Sequence, residues 1–525
     1  MPKVLISDKI SNRAVEIFQE RGVEVDYKPG LSPDELKSII GAYDGLAIRS
    51  ATKVTANILA HADNLKVVGR AGIGVDNVDQ AAATAKGVVV MNTPFGNSIT
   101  TAEHAVAMMM ACARQIPAAN ASTHAGKWEK SKFMGVELYG KVLGLLGAGN
   151  IGSIVADRAQ GLKMRVIAFD PFLSPERAET MGVERVDLDT LLKRADFITI
   201  HTPLTDQTRN LLNAAAFDKV KKGVRIVNCA RGGIIDEVAL RDALDAGKVA
   251  GAALDVFAQE PATENILFGR DDVVATPHLG ASTEEAQENV AIQVAEQMAD
   301  FLLTGAVTNA LNMPSVSAED APRLKPYMKL AEQLGSFAGQ VTETGIRRAV
   351  IEFEGHVAAL NTKPLVQAAI AGLLKPFSDA VNMVSAPVIA RERGIEISEV
   401  KHDRPGDYQT LIKLTVESER FTRSVSGTLF GGDKPRIVDI KGIQVEAPFS
   451  NSMLYITNQD KPGLIGALGT LFSTHGVNIA SFHLGRTEAG GDAIALVELD
   501  SDLSDSVLQE ISALPLVTQA KRVNF

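Results

Sequence analysis

The sequence predicts an α/β chain of several domains, and three patterns predict it. Short apolar runs alternate with helical segments from residue 1 to about residue 310. The stretch LLGAGNIG, residues 145–152, places a glycine-rich turn directly after one of those runs, and residues 452–525 read as strand, helix, strand, strand, helix, strand. Regular alternation marks parallel sheets covered by helices, and the last order is the ferredoxin-like one. The expected fold is therefore two Rossmann-like or flavodoxin-like parallel-sheet domains, then an intervening α+β domain, then a ferredoxin-like (βαββαβ) domain.

In chain order, residues 4–7, 23–27, 46–49, 67–70 and 88–92 read as strands, with helices at 11–21, 32–41 and 55–62. Residues 98–119 read as one helix with Ser98 as N-cap, leading into a second parallel domain. KWEKSKF, residues 127–133, is a basic loop holding the only tryptophan. Strands follow at 142–146, 165–169, 197–201, 224–228, 251–254 and 273–276, with helices between them. A long helix at 283–304 returns to the first domain. Residues 1–97, completed by 283–310, thus form a substrate-binding domain, and residues 98–282 form a nucleotide-binding one. ALNMP at 310–314 reads as a linker. Residues 315–446 are mixed α and β without a chemical motif, and GGDKPR at 431–436 is a plain turn. In 452–525, Leu464, Leu468, Leu471 and Phe472 share one apolar helix face.

Bulk properties narrow the function classes. The chain has 525 residues, 46% hydrophobic and 22% charged, with a formal net charge of −10. That balance argues against nucleic acid or an anionic membrane as main partner. An anionic substrate would need a local basic cluster. Two cysteines, Cys112 and Cys229, make no disulfide framework and fit a reducing compartment. The start MPKVLISDKI lacks the apolar core of a signal peptide, and the apolar run 105–113 is too short to span a bilayer. The expected location is cytoplasmic; an organellar protein whose transit peptide had been removed would read the same way.

Gly147, Gly149 and Gly152 have G-x-G-x-x-G spacing between a strand and a helix, and RVIAFD then ends a second strand in Asp170. Each part has a task in a dinucleotide site. Gly147 permits the tight turn, Gly149 lets backbone N–H groups approach a pyrophosphate, and Gly152 lets the helix lie close to the sheet. The helix N-terminus offers donors and partial positive charge. Asp170 would accept from the ribose hydroxyls and repel a 2′-phosphate, favouring NAD over NADP. A βαβ unit that merely packs is the alternative.

Oxidising an alcohol with a nicotinamide cofactor requires a base, a partner to orient it and an anchor for the substrate. His278 in TPHLGAS suits the base. Glu260 in AQEP suits the partner, and Arg231 in NCARGG the anchor, through a bidentate carboxylate pair. Each alone has an ordinary structural reading: a backbone-satisfied histidine, a turn glutamate, a salt-bridged arginine. Their joint placement at strand ends, with Thr202 and Asp255, points to chemistry, since ligands of open α/β sheets bind beyond those ends. Arg49 and Arg70 end two strands of the first domain and present forks suited to an anion. His104 reads as packed and His201 as structural, and no His/Cys/Asp spacing suggests a metal.

With these residues in view, GLLGAGNIG, NCARGGIIDE, ALDVFAQEP and TPHLGASTEEAQ closely resemble the D-isomer-specific 2-hydroxyacid dehydrogenases, whose arginine, glutamate and histidine are catalytic. GRAGIGVDNVD, MNTPFGNS and KWEKSKFMGVEL resemble the branch of that family acting on 3-phosphoglycerate. NQDKPGLIGALGTLFSTHGVNIASFHLGR resembles an ACT domain, and 315–446 the intervening domain of long-form members. The resemblance implies NAD-dependent oxidation of 3-phospho-D-glycerate to 3-phosphohydroxypyruvate, the first step of the phosphorylated route to L-serine. Besides the three glycines, it implies NAD contacts at Asn150, Ile151, Asp170, Thr202, Cys229, Ala230, Arg231 and Asp255. The turn with His278, Gly280 and Ala281 joins them, with Ile73 nearby. For the substrate it implies Arg49, Ser50, Arg70, Gly72, Asn97, and Lys130 or Lys132; the family often has arginine where Lys130 stands. ACT domains pair edge to edge and bind an amino acid between subunits. That implies a homo-oligomer, dimer or tetramer, with L-serine as effector at Asn458, Asp460 and Asn478. Some long-form members carry tyrosine where Asn458 stands.

Two other functions fit the same frame. One is a hydroxypyruvate or glyoxylate reductase, against which the basic set Arg49, Arg70 and Lys132 argues. The other is a non-catalytic NAD-sensing corepressor, against which the intact Arg231, Glu260 and His278 set argues.

Overall fold

The structure is a computed structural model that describes residues 1–378, 381–402 and 407–525. The chain divides into two compact units, residues 1–92 with 294–525, and residues 93–293.

The first unit opens with a five-stranded sheet of β1 (Lys3–Ile6), β2 (Glu24–Tyr27), β3 (Gly45–Ile48), β4 (Val67–Arg70) and β5 (Val89–Met91), in the order β2-β1-β3-β4-β5. All pairs are parallel. A further helix, Gln80–Lys86, lies between β4 and β5, capped by the Asp79 carboxylate and ended by Gly87 in the left-handed region. Its sequence QAAATAK has no large apolar stripe to announce it. Val294, Met298 and Leu302, on the long helix Glu284–Thr304, occupy the space left by Gly45 and Gly69.

Residues 93–293 hold a seven-stranded parallel sheet of β6 (Val142–Leu146), β7 (Arg165–Phe169), β8 (Glu184–Arg185), β9 (Phe197–Ile200), β10 (Val224–Asn228), β11 (Val249–Leu254) and β12 (Val273–Ala275). Its order is β12-β11-β10-β9-β6-β7-β8. VLGLL of β6 is buried on both faces, as a helix-covered parallel strand must be. Successive side chains alternate: Val142 and Leu146 enter one core cluster, Leu143 and Leu145 the other. Ala102, Ala105, Met109 and Cys112 of helix Ser98–Arg114 recur at helical spacing and close the second core.

The expected single helix at 98–119 is two helices, Ser98–Arg114 and Ile116–His124, broken at Gln115 with φ of 54°. Pro117 has no N–H to donate back to Ala113; the Ala113 carbonyl accepts from Val136 N–H instead, at 2.9 Å. Ser98 is not the cap either. Asn97 holds that position without a side-chain bond, and the Ser98 hydroxyl donates to the Pro94 carbonyl at 2.9 Å.

The remainder of the first unit contains a mixed six-stranded sheet and the C-terminal sheet. The six-stranded sheet comprises β13 (Ile346–Gly355), β14 (Glu396–His402), β15 (Thr410–Ser418), β16 (Thr422–Phe430), β17 (Lys434–Ile440) and β18 (Ile443–Pro448). Its order is β14-β13-β15-β16-β17-β18, and only β13 and β14 are parallel. The C-terminal sheet comprises β19 (Met453–Gln459), β20 (Ile479–Arg486), β21 (Asp492–Leu499) and β22 (Val517–Val523) in the order β20-β21-β19-β22, all antiparallel. With helices Leu464–Thr474 and Asp505–Ser512 it forms the expected βαββαβ unit. Among the described residues, no helix is long and apolar enough to cross a membrane.

Candidate active site

In the seven-stranded sheet the strand order reverses between β6 and β9, and a ligand crevice forms beyond the strand ends at such a point. Gly147 follows β6 with φ of 95°, and a Cβ there would come within 2.6 Å of the His201 carbonyl oxygen after β9. Glycine is required twice over, by conformation and by contact. A Cβ on Gly152 would lie 2.2 Å from the Gly147 carbonyl oxygen, so the helix Asn150–Gly161 can begin only against a bare backbone. Gly149 faces open space, with nothing within 4 Å of a Cβ. No side chain caps this helix. Asp170, after β7, accepts from Ala148 N–H and Phe172 N–H, both at 2.8 Å, which pins the acid beside the turn.

A dinucleotide fits this set. The open face at Gly149, the uncapped helix start and the acid beside the turn match pyrophosphate and ribose. Two buried oxygens, Thr202 Oγ1 and Asn97 Oδ1, have no partner, and buried polar atoms are normally hydrogen-bonded. His201 Nδ1 is a third buried atom without a partner. The residue is partly buried, Thr199 Oγ1 lies 2.9 Å from Nε2, and desolvation of the ring lowers its pKa to about 3. The imidazole is therefore neutral at neutral pH.

His278 and Glu260 are paired. His278 Nδ1 lies 2.7 Å from Glu260 Oε2, and Glu260 Oε1 accepts from Phe257 N–H at 3.0 Å. The carboxylate is thus held by backbone and bound to one ring nitrogen, which sets the ring's orientation. His278 has φ of 57°, a conformation disfavoured for residues other than glycine and concentrated at functional sites. Arg231 follows β10. Asn228 anchors that loop by donating to the Arg231 carbonyl and accepting from Ala230 N–H, at 2.9 and 3.0 Å. Arg231 Nη1 donates to the Ala230 carbonyl at 2.7 Å.

Asp255, at the end of β11, is the hub of this edge. Oδ1 accepts from the Thr276 hydroxyl at 2.6 Å and Leu279 N–H at 2.7 Å, and Oδ2 from Gly280 N–H at 2.8 Å. The His278 N–H also donates to the Asp255 carbonyl at 2.9 Å. Burial raises the carboxyl pKa, but the bonds from His104, Thr276 and Leu279 outweigh it and leave the group below its usual value. Asp255 therefore shapes the turn that carries His278, a role the sequence reading misses. His104 is also more than packed: its Nε2 lies 3.2 Å from Asp255 Oδ1. Cys229 is buried beside them, while Ala230, Ile151 and Ala281 line the strand ends partly exposed. Lys132 pairs with Asp271 at 2.9 Å, and Lys130 is exposed.

The first unit has its own basic edge. Asp8, after β1, accepts from Arg49 N–H at 2.6 Å and from the Thr52 hydroxyl at the same distance. Gly72 has φ of 144°, and a Cβ there would lie 1.7 Å from Arg70 Nη1. The guanidinium rests where any larger residue would stand. Ser50 is exposed, and the Ile73 carbonyl accepts from Asn92 Nδ2 at 2.6 Å.

Three family models match the chain in succession. They are the D-isomer specific 2-hydroxyacid dehydrogenase NAD binding domain over residues 106–280, the D-3-phosphoglycerate dehydrogenase intervening domain over 323–441, and the ACT domain over 452–516. A D-3-phosphoglycerate dehydrogenase of Synechocystis sp. is 46% identical over 100% of this chain and 95% of its own length. The chain belongs to the D-3-phosphoglycerate dehydrogenase family. Within that family, the Archaeoglobus fulgidus protein is 43% identical over 100% of both chains, and the chloroplastic Arabidopsis thaliana protein 39% identical over 99% of this chain and 86% of its own. The order of an NAD-binding dehydrogenase domain, an intervening domain and an ACT domain is the long form of the family. A glyoxylate reductase from Paecilomyes thermophila is a structural neighbour with TM-score 0.55 and 29% identity, covering 59% of this chain and 98% of its own. The apo form of D-lactate dehydrogenase from Escherichia coli has TM-score 0.52 and 31% identity, covering 59% and 100%.

Proposed function

We propose that this chain oxidises 3-phospho-D-glycerate to 3-phosphohydroxypyruvate with NAD. The observation that carries the proposal is the His278–Glu260 pair at 2.7 Å on the strand-end edge that also bears Arg231. NAD held at this edge would supply the acceptor for the C2 hydride. His278 takes the hydroxyl proton on Nε2, and Glu260 holds Nδ1 and offsets the charge that His278 gains. Arg231 pairs with the substrate carboxylate and polarises the forming carbonyl. The phosphate falls to Arg49 and Arg70, with Ser50, Gly72, Asn97 and Lys130 or Lys132. Lys132 would first have to leave Asp271.

Gly147, Gly149, Asn150, Ile151 and Gly152 serve the pyrophosphate. Asp170 serves the adenosine ribose, and Ile73, Thr202, Cys229, Ala230, Asp255, Gly280 and Ala281 the nicotinamide half. In domain terms, residues 1–97 with 283–310 take the substrate and residues 98–282 take NAD. Residues 315–446 and 452–525 regulate.

L-serine is the effector assigned to the ACT domain, at Asn458, Asp460 and Asn478. The buried Asn458 Oδ1 has no partner, which supports a ligand there. Asp460 is held by Arg486 at 2.7 Å and by Gly490 N–H at 3.1 Å, and Asn478 by Asp500 at 2.5 Å, so binding would exchange these bonds. Edge pairing of this domain makes the assembly a homo-oligomer. Two free, buried cysteines fit a reducing compartment such as the cytoplasm.

The test is NADH absorbance with 3-phosphoglycerate and NAD, with and without L-serine. Turnover lowered by serine is the expected result. Turnover indifferent to serine removes the effector assignment alone. Reduction of hydroxypyruvate or glyoxylate without 3-phosphoglycerate oxidation overturns the substrate assignment.

A further inference from the structure

One cluster beside the proton-transfer pair combines three metal-ligand types that lie far apart in sequence. His104 Nε2, Cys229 Sγ and a carboxylate oxygen of Asp255 all lie within 4.8 Å of one another. They come from the middle of helix Ser98–Arg114, the loop after β10 and the end of β11. Asp255 is fully buried and Cys229 nearly so, while the His104 side chain is 20% exposed and leaves one approach open.

We propose that this cluster binds a thiophilic divalent cation of the zinc class through imidazole, thiolate and carboxylate. Zinc held by three protein ligands with one open position is a recurrent arrangement. Metal–ligand bonds of about 2.0–2.3 Å place tetrahedral ligand atoms roughly 3.3–3.6 Å apart. His104 Nε2 and Asp255 Oδ1 already stand at 3.2 Å, and Cys229 Sγ lies within 4.8 Å of both ligand groups. The carboxylate is held by Thr276 and Leu279 on Oδ1 and by Gly280 on Oδ2, as ligating carboxylates are hydrogen-bonded. Thiolate with imidazole selects zinc, cadmium or cobalt over magnesium and calcium.

Binding involves no redox change. The cation sheds water, the Cys229 thiol loses its proton to solvent, and a metal–sulfur bond forms. Any proton on His104 Nε2 moves to Nδ1 or leaves. Burial, and then the charge of Asp255, push the Cys229 thiol well above its ordinary range, so at neutral pH each cation bound releases at least one proton. One consequence rests on the proposed function. Cys229 and Asp255 are assigned there to NAD, so cation and NAD exclude each other.

The test titrates Co²⁺, a coloured zinc surrogate, into the full-length apo chain and follows the thiolate-to-cobalt charge-transfer band. The chain has only two cysteines, so such a band has two possible origins. The expected result is one Co²⁺ per chain, a band retained in Cys112→Ser and lost in Cys229→Ser, and affinity at least about tenfold weaker in His104→Gln. No band in the wild-type chain, or a band that survives Cys229→Ser, overturns the site. Should Cys229→Ser fail to fold by circular dichroism, His104→Gln decides, since unchanged affinity there overturns the three-ligand assignment. Saturating NAD is expected to abolish the band. A band untouched by bound NAD leaves the cation site standing and removes Cys229 and Asp255 from the cofactor assignment.

Discussion

In the five-stranded sheet, the strands at the reversal of order, β1 and β3, run into Asp8 and Arg49; in the seven-stranded sheet, β6 and β9 run into Gly147 and His201. Both sheets are parallel, and both concentrate polar groups beyond their strand ends. The first does so with side-chain charge: Asp8 binds the Arg49 N–H, and Arg70 lies over Gly72. The second does so with bare backbone at Gly147 and Gly149 and with acids, Asp170 and Asp255, that organise loops. Sheet topology provides the crevice, and the residues at strand ends decide which ligand chemistry it accepts. Glycine serves opposite purposes in the two. Gly147 brings backbone close to backbone, whereas Gly72 makes room for a cationic side chain.

Four substitutions break or sharpen this comparison. The largest effect is expected at the second sheet's edge. His278→Ala removes the base and lowers kcat by about 10²–10⁴-fold, with NAD affinity, read by NADH fluorescence, retained. A wild-type rate would remove His278 from proton transfer.

Next comes His201, whose counterpart in the first sheet is the partly buried Arg49. Its desolvated imidazole stays neutral down to about pH 3, while in the unfolded chain it titrates near 6.5. The unfolded state therefore binds more protons between those values, and stability falls as pH drops below about 7. The loss is on the order of 2 kcal/mol between pH 7 and pH 5. Hydrogen exchange of the β9 amides, corrected for intrinsic rates, should show it in the wild type and not in His201→Gln. Equal pH dependence in the two chains would contradict this account of the desolvated ring.

In the first sheet, Gly72→Ala displaces the Arg70 guanidinium and strains a left-handed backbone. KM for 3-phosphoglycerate should rise about tenfold, the scale of one charge-assisted hydrogen bond, with NAD affinity unmoved. If KM stays put while NAD binding weakens, the division of labour between the two edges is wrong. The smallest effect is at Asp170. Asp170→Ala should shift the NAD to NADP preference several-fold, since one ribose contact and one repulsion are removed at a partly exposed site. An unchanged ratio of kcat/KM values for the two cofactors would refute that role.

What could be read in advance follows a physical divide. The glycine turn, the strand before it, the helix after it and Asp170 sit within one βαβ unit, where spacing along the chain translates directly into spacing in space. The C-terminal βαββαβ unit was legible for the same reason, since its turns and apolar faces are local. Helix 98–119 failed because its apolar periodicity runs on past Arg114, while the break depends on Pro117 and on Val136 taking the Ala113 carbonyl. Helix Gln80–Lys86 failed because alanine carries little periodic signal.

The sequence by itself determined the fold classes, the glycine turn after β6 and the position of Arg231 and His278 just past strand ends, because these are written in residue types and short spacings. Only the tertiary structure decided that Asp255 ties the His278 turn to β11. It alone brought His104 and Cys229 to that carboxylate, set Lys132 on Asp271, and lowered the pKa of His201. Each of these depends on segments tens of residues apart meeting at one strand-end edge. Side-chain pairing and burial there are settled by packing between elements, and no local pattern encodes it.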